Sequence, residues 1–178
     1  AAAIYAGMVS DTGGFKYNAT AKSTMETAAR LMELIPFTNI YNELMHRHRF
    51  AAGKALGLAL ANCKRTRNKK IVFTYMTGDM LRSVGATHAD VDGIVEYLMG
   101  TRNALVAIFA YEKKSEPGKV KVSMRSQGPN VGRVALSLGG GGHILASGAL
   151  VEGETEKVLR RVLGLVKHEV NIFDDRNN

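Results

Sequence analysis

The run Gly139-Gly140-Gly141-Gly142-His143, followed by Ala146-Ser147-Gly148-Ala149, is the densest candidate for chemistry in the chain. Four consecutive glycines lose much conformational freedom on folding. Ending a helix explains one of them. The others point to a backbone that must approach a ligand closely, with amide groups free to form an anion-binding nest. His143, at the edge of that loop, could donate to a phosphate or a base. The bland alternative is a flexible surface loop with an incidental histidine. No Gly-Lys-Ser/Thr follows, so the run is not a Walker A loop. The spacing does not fit G-x-G-x-x-G either, and a dinucleotide fold is unsupported.

Two further clusters carry chemistry. In Ser123-Met124-Arg125-Ser126, at the end of an expected strand, Arg125 offers a planar fork suited to phosphate and the serines add hydroxyl donors. A single arginine at a strand end is usually just solvated, but the next element delivers the glycine loop, so the two could meet at one pocket. Asp11-Thr12-Gly13-Gly14-Phe15 follows the apolar run Ala1 to Val9. Asp11 at the end of a buried strand would suit a hard cation such as Mg²⁺ or Mn²⁺. An Asx-type turn is the plainer reading, since one carboxylate cannot build a metal site. His46 and His48 are two apart and read as surface residues, His88 lies near a helix start, and His168 sits on the polar side of the last helix. Cys63 has basic neighbours that could lower its pKa, but no partner base, so a bland thiol is favoured.

The elements that must position these groups follow from periodicity. Ser23 to Ile35 reads as a helix opened by a Ser23-x-x-Glu26 capping box and stopped by Pro36. Asn39 to Leu60 is helical with a break near Arg47 to Arg49. Ile71 to Met76 is β-branched and aromatic, a strand. Asp79 to Val84 makes a short helix. Thr87-x-x-Asp90 opens another, with Val91, Ile94, Val95 and Leu98 on one face and Gly100 at its end. Strands Leu105 to Tyr111 and Val120 to Met124 are joined through Glu116-Pro117-Gly118. Asn130 caps a helix ending at Gly139, Ile144 to Val151 is a strand, and Val158, Leu159, Val162, Leu163, Val166 and Val170 line a final helix. Mixed elements of this kind make an α/β or α+β architecture.

The chain has 178 residues, with 46% hydrophobic and 22% charged, which excludes a wholly disordered polymer. One cysteine excludes a disulfide framework or a thiolate zinc site. No apolar run approaches the ~20 residues that span a bilayer, and no basic segment precedes the apolar start, so a cytoplasmic protein is expected. The formal charge is +8. Residues 1–60 hold six basic and four acidic side chains, residues 61–70 five and none, and residues 71–178 thirteen and twelve. Most of the excess is therefore one short segment, read as a solvated linker between two lobes.

The Asp-Thr-Gly, Ser-x-Arg-Ser and Gly-Gly-Gly-His motifs, in this order, resemble the DHH phosphoesterases, in the branch with a C-terminal DHH-associated domain. That branch includes the nanoRNase/pAp-phosphatase proteins and the RecJ exonucleases. The resemblance implies an α/β fold: the C-terminal end of a parallel-sheet catalytic domain (1–60), a basic linker (61–70) and a smaller mixed-sheet substrate-binding domain (71–178). Tyr5 to Phe15 would be that catalytic domain's last strand and motif. Asp11 would be a ligand of a two-metal Mn²⁺ (or Mg²⁺) site, and Ser123, Arg125, Ser126, Gly140, Gly141, Gly142 and His143 would hold the nucleotide. The upstream motifs that supply most of the metal site have no counterpart here, so the chain is expected to begin inside a domain and not to hydrolyse substrate efficiently by itself. The implied activity of the whole protein is metal-dependent hydrolysis of short oligoribonucleotides or pAp. A non-catalytic nucleic-acid-binding module, a cyclic-dinucleotide phosphodiesterase and an exopolyphosphatase-like relative are the alternatives. The resemblance leaves a homodimer open. The related alanyl-tRNA synthetase domain carries Arg or Lys after the glycines, which His143 disfavours.

Overall fold

Alternation decides the main sheet. In Lys119–Ser126 (KVKVSMRS) every second residue is buried, and in Ala146–Glu152 (ASGALVE) the same period recurs. Val106–Glu112 (VAIFAYE) is instead buried along almost its whole length, as a strand covered on both faces must be. The computed structural model of the chain describes residues 1–17, 20–113 and 115–177. Its internal contacts divide it into two units, Ala1–Arg49 and Phe50–Asn178.

The second unit is built on a six-stranded mixed sheet. Its strands are β1 (Lys64–Arg65), β2 (Ile71–Met76), β3 (Val106–Glu112), β4 (Lys119–Ser126), β5 (Gly141–Gly142) and β6 (Ala146–Glu152). The spatial order is β1-β2-β3-β4-β6-β5, with β2 and β3 parallel and every other pair antiparallel. The α/β expectation and the mixed sheet hold. The expected strands fall within one or two residues of the observed ones, and the Glu116-Pro117-Gly118 turn joins β3 to β4.

Two layers of helix flank this sheet. On one face, α7 (Val131–Ser137) and α8 (Thr155–Asn177) pack against Val106, Ile108, Val122, Met124, Ala149 and Val151. The predicted stripe of α8 is the buried one, from Val158 to Val170, and His168 is exposed as expected. On the other face, α4 (Phe50–Ala61), α5 (Gly78–Ser83), a 3-10 turn (His88–Val91) and α6 (Ile94–Met99) cover Val72, Met76, Ala107, Phe109 and Tyr111. Thr87 and Asp90 form the expected capping box. It opens a single 3-10 turn, however, and the chain bends at Asp92–Gly93 before α6 begins. Val91, Ile94, Val95 and Leu98 are all buried nonetheless. Residues 61–70 contain the end of α4, the edge strand β1 and a turn, and Lys70 Nζ pairs with Asp174 at 2.6 Å.

The first unit differs from expectation. Its described residues contain no strand: α1 (Ala2–Asp11), α2 (Lys22–Met32) and α3 (Phe37–Met45) enclose Tyr5, Val9 and Ala28. The expected apolar strand is the helix α1. Ala2, Ala3 and Ala6 favour helix, and Tyr5 and Val9, four apart, are the residues it buries. A parallel-sheet catalytic portion is therefore not evident in this chain. At α2 the expected box is also replaced, because Thr24 Oγ1 accepts from Ala21 N at 3.2 Å while Glu26 pairs with Lys22. The break at 46–49 stands where it was expected. No helix among the described residues is long and apolar enough to cross a membrane.

Candidate nucleotide-binding face

The helices of the second face cover β2 and β3, and only α6 reaches β4, where Glu96 meets Arg125. Beyond β3, the strands β4, β6 and β5 present an open strip. Direct register partners share a face, so one side carries Lys121, Ser123 and Arg125 from β4 beside Leu150, Gly148 and Ala146 from β6, with Gly141 of β5 next to Gly148. The alternate residues Val120, Val122 and Met124 fill the core on the opposite side. The strip is a floor of glycine and alanine, with Leu150 beside Lys121, edged by cations.

Arg125 is half-buried and already engaged on one side. Its Nη2 donates to Glu96 Oε1 of α6 at 2.5 Å, and its Nη1 donates to the Met124 carbonyl at 3.0 Å. A guanidinium has five donors, so these two bonds fix its plane and leave other N–H groups for an anion. Ser123 lies between Lys121 and Arg125, and its hydroxyl bonds to no described residue. Ser126 does not join them. It is buried, and its hydroxyl donates to the Pro129 carbonyl at 2.7 Å, a structural bond that removes it as a ligand donor.

The glycine run divides by position. Gly139 ends α7 with φ +75°, a left-handed conformation that suits glycine. At Gly140 a Cβ would fall 2.2 Å from the Gly148 carbonyl oxygen and 2.6 Å from Ala149 Cα. At Gly142, with φ +132°, it would fall 2.6 Å from Ser147 Cα. Both glycines are thus required by the chain's own strand β6, rather than by a ligand. Gly141 alone of the four faces open space without a left-handed φ. Close approach to a ligand, expected of three glycines, is left chiefly to Gly141 within the strip.

His143 begins the turn between β5 and β6. Its N–H donates to the Ala146 carbonyl at 2.7 Å, and the Leu145 carbonyl accepts from Ser126 N at 2.9 Å. The turn is therefore held at the Arg125 end of the strip, and His143 is exposed there. The Ser-x-Arg-Ser and glycine–histidine motifs do meet, as the sequence suggested. Sequence reasoning missed Lys121 and Glu96. The period-two pattern of KVKVSMRS could have supplied Lys121; nothing local marks Glu96.

The other candidates fare differently. Asp11 is exposed at the C-terminal end of α1, and Thr12 Oγ1 closes the following turn by accepting from Phe15 N at 2.9 Å. No three His, Cys, Asp or Glu side chains are gathered for a metal among the described residues. The residues present thus do not fit the implied two-metal centre. Burial pushes the Cys63 thiol up, against the lowering that its basic neighbours suggested, with only a lesser downward pull from the Phe73 backbone. His46, His48 and His88 are exposed. A separate cavity of about 1070 Å³ opens at the far end of the sheet, lined by Arg82, His88, Glu112, Lys119 and Glu152. None of the motif residues lines it.

The fold and strip define an α/β domain with one sheet face partly left open. The chain belongs to the DHHA1 domain family, whose model matches residues 68–171. It is 30% identical over 171 residues to the bifunctional oligoribonuclease and PAP phosphatase NrnA of Bacillus subtilis, covering 93% of this chain and 53% of that protein. It is also 30% identical to the Thermus thermophilus protein of the same name, covering 94% of this chain and 50% of that one. The chain spans about half the length of these curated relatives. Among solved structures it superposes on an exopolyphosphatase-related protein from Bacteroides fragilis with a TM-score of 0.84 at 25% identity, covering 94% of this chain and 50% of that one. A pGpG-specific phosphodiesterase, PggH from Vibrio cholerae, shares the fold, with a TM-score of 0.50 at 12% identity over 83% of this chain and 51% of that one.

Proposed function

We propose that residues 50–177 are the nucleotide-gripping part of a phosphoesterase acting on short oligoribonucleotides or pAp. The observation that carries this reading is the open strip, where Ser123, Arg125, Gly141 and the His143 turn converge on a floor of small residues. A flat ring can lie on such a floor with only the flexible Lys121 side chain to move aside. The unused N–H groups of Arg125 and the Ser123 hydroxyl are the donors for a phosphate oxygen, and His143 adds a donor at the rim. Names of relatives at 30% identity support the substrate class. These residues bind and orient. Hydrolysis would need a metal-bearing catalytic portion that the described residues do not provide, so no bond-breaking step is assigned to them.

The test is calorimetric titration of the chain with pAp and with a 5′-phosphorylated diribonucleotide. Arg125→Ala is expected to weaken binding by about 10- to 100-fold, the range for losing charge-assisted hydrogen bonds. His143→Ala is expected to weaken it by about tenfold or less. Binding that survives both changes unaltered would remove the strip as the site.

A further inference from the structure

Lys121 is the unassigned group on this face. It shares a side with Ser123 and Arg125, four residues from the arginine, so their Cα atoms stand about 13 Å apart along the strand. Its side chain does not reach straight out into water. Its Nζ and Cε lie 3.6 and 3.8 Å from where a Cβ on Gly148 would stand, so the ammonium is folded over the glycine floor. Among the described residues it has no acidic partner. The contrast with its neighbours matters. Arg125 is held by Glu96, and Lys113 and Lys119 both pair with Glu116. A solvated lysine with its stem on the surface is the ordinary case. Here the ammonium is directed onto the same strip as Arg125, with a free serine hydroxyl between them, and that places two cationic points along one ligand path.

We propose that Lys121 is a second phosphate contact, and that it makes the strip select nucleotides bearing two separated phosphate groups over nucleoside monophosphates. The proposal rests on the nucleotide-binding reading above and assigns a residue to the second phosphate of its ligands. Arg125 takes one phosphate at the His143 end. Lys121, through a flexible stem, meets the second, which is either a second monoester group or the bridging phosphate of a dinucleotide. A monophosphate satisfies only one of the two cations.

The experiment compares adenosine 5′-monophosphate with adenosine 3′,5′-bisphosphate by calorimetric titration of the full chain. The unaltered protein should bind the bisphosphate about tenfold more tightly, the worth of one added charge-assisted contact. Lys121→Gln, which keeps most of the stem, should weaken the bisphosphate about tenfold more than the monophosphate, bringing the ratio near one. Lys121→Arg should retain the preference, which a purely packing role for the stem would not predict. Equal weakening of both ligands by Lys121→Gln, or an unchanged ratio, overturns the proposal while leaving the site in place. Failure of the unaltered protein to bind either nucleotide overturns the nucleotide reading itself, and the proposal with it.

Discussion

Strands β3 and β4 are hydrogen-bonded neighbours in one sheet, yet their residues on the second face live in opposite surroundings. On β3 that face is Ala107, Phe109 and Tyr111, buried under α4, α5 and α6. Phe109 and Tyr111 stack at 5.4 Å. Directly across the ladder the partners are Arg125, Ser123 and Lys121, none of them fully buried. The step from Phe109 to Ser123 is one strand spacing, about 4.8 Å. Over that distance the face changes from core to a cation-edged floor. The helical layer covers two strands and touches β4 only through α6 at Arg125, and the sequence of β4 is written for the side that remains open. Under the proposed function, the sheet supplies rigidity from its covered half and recognition from its uncovered one.

The contrast is sharpest at the Phe109–Ser123 pair. Phe109→Ala should destabilise the domain by about 3–5 kcal/mol, the cost of deleting a buried aromatic side chain. Ser123→Ala should cost less than about 1 kcal/mol, because its hydroxyl makes no bond within the described chain. Denaturant unfolding of both variants measures the difference. Similar losses for the two would mean that β4 is covered after all.

The glycines divide in the same way on a smaller scale. Gly140→Ala would drive a methyl into the Gly148 carbonyl and Ala149 Cα, both backbone, and should cost about 1–3 kcal/mol of stability. Gly141→Ala meets nothing within 4 Å and should stay within about 0.5 kcal/mol of the parent. It would raise the floor by one methyl, so its effect should appear in nucleotide affinity rather than in the melting curve. A Gly141→Ala variant that melts early, or a Gly140→Ala variant that does not, would reverse the assignment of these two positions.

Much of this division was legible in the residues. KVKVSMRS states its own two-sidedness, and the buried stripe of α8 was plain from its period. The first unit departs from the expected strand for an equally physical reason. Ala1 to Val9 is apolar nearly throughout, and a short run of that kind has no period with which to separate helix from strand. Beyond the one that ends the helix, the glycines look alike in the sequence, because a sequence does not show that β6 returns against them and claims Gly140 and Gly142. Glu96 was invisible for the same reason: it lies 29 positions from Arg125 and meets it only through the packing of α6 beside β4.

The turn joining the covered strand to the open one carries the smallest effect. Glu116 accepts from Lys113 Nζ at 2.5 Å and from Lys119 Nζ at 2.9 Å, and the two ammonium groups, Lys113 foremost, hold its carboxyl below the usual carboxylate range. In the unfolded chain that carboxyl returns to its ordinary value. Its stabilising contribution is therefore complete above the ordinary carboxylate range and is lost as pH falls through the lowered folded value. Glu116→Gln should lower the melting temperature slightly at neutral pH and not at strongly acid pH. Added salt should shrink the neutral-pH gap, since the pair is solvent-accessible and screened. A gap that persists unchanged in acid would show that Glu116 acts by shape rather than charge, and that the turn's geometry is set by Pro117-Gly118 instead of by the two lysines.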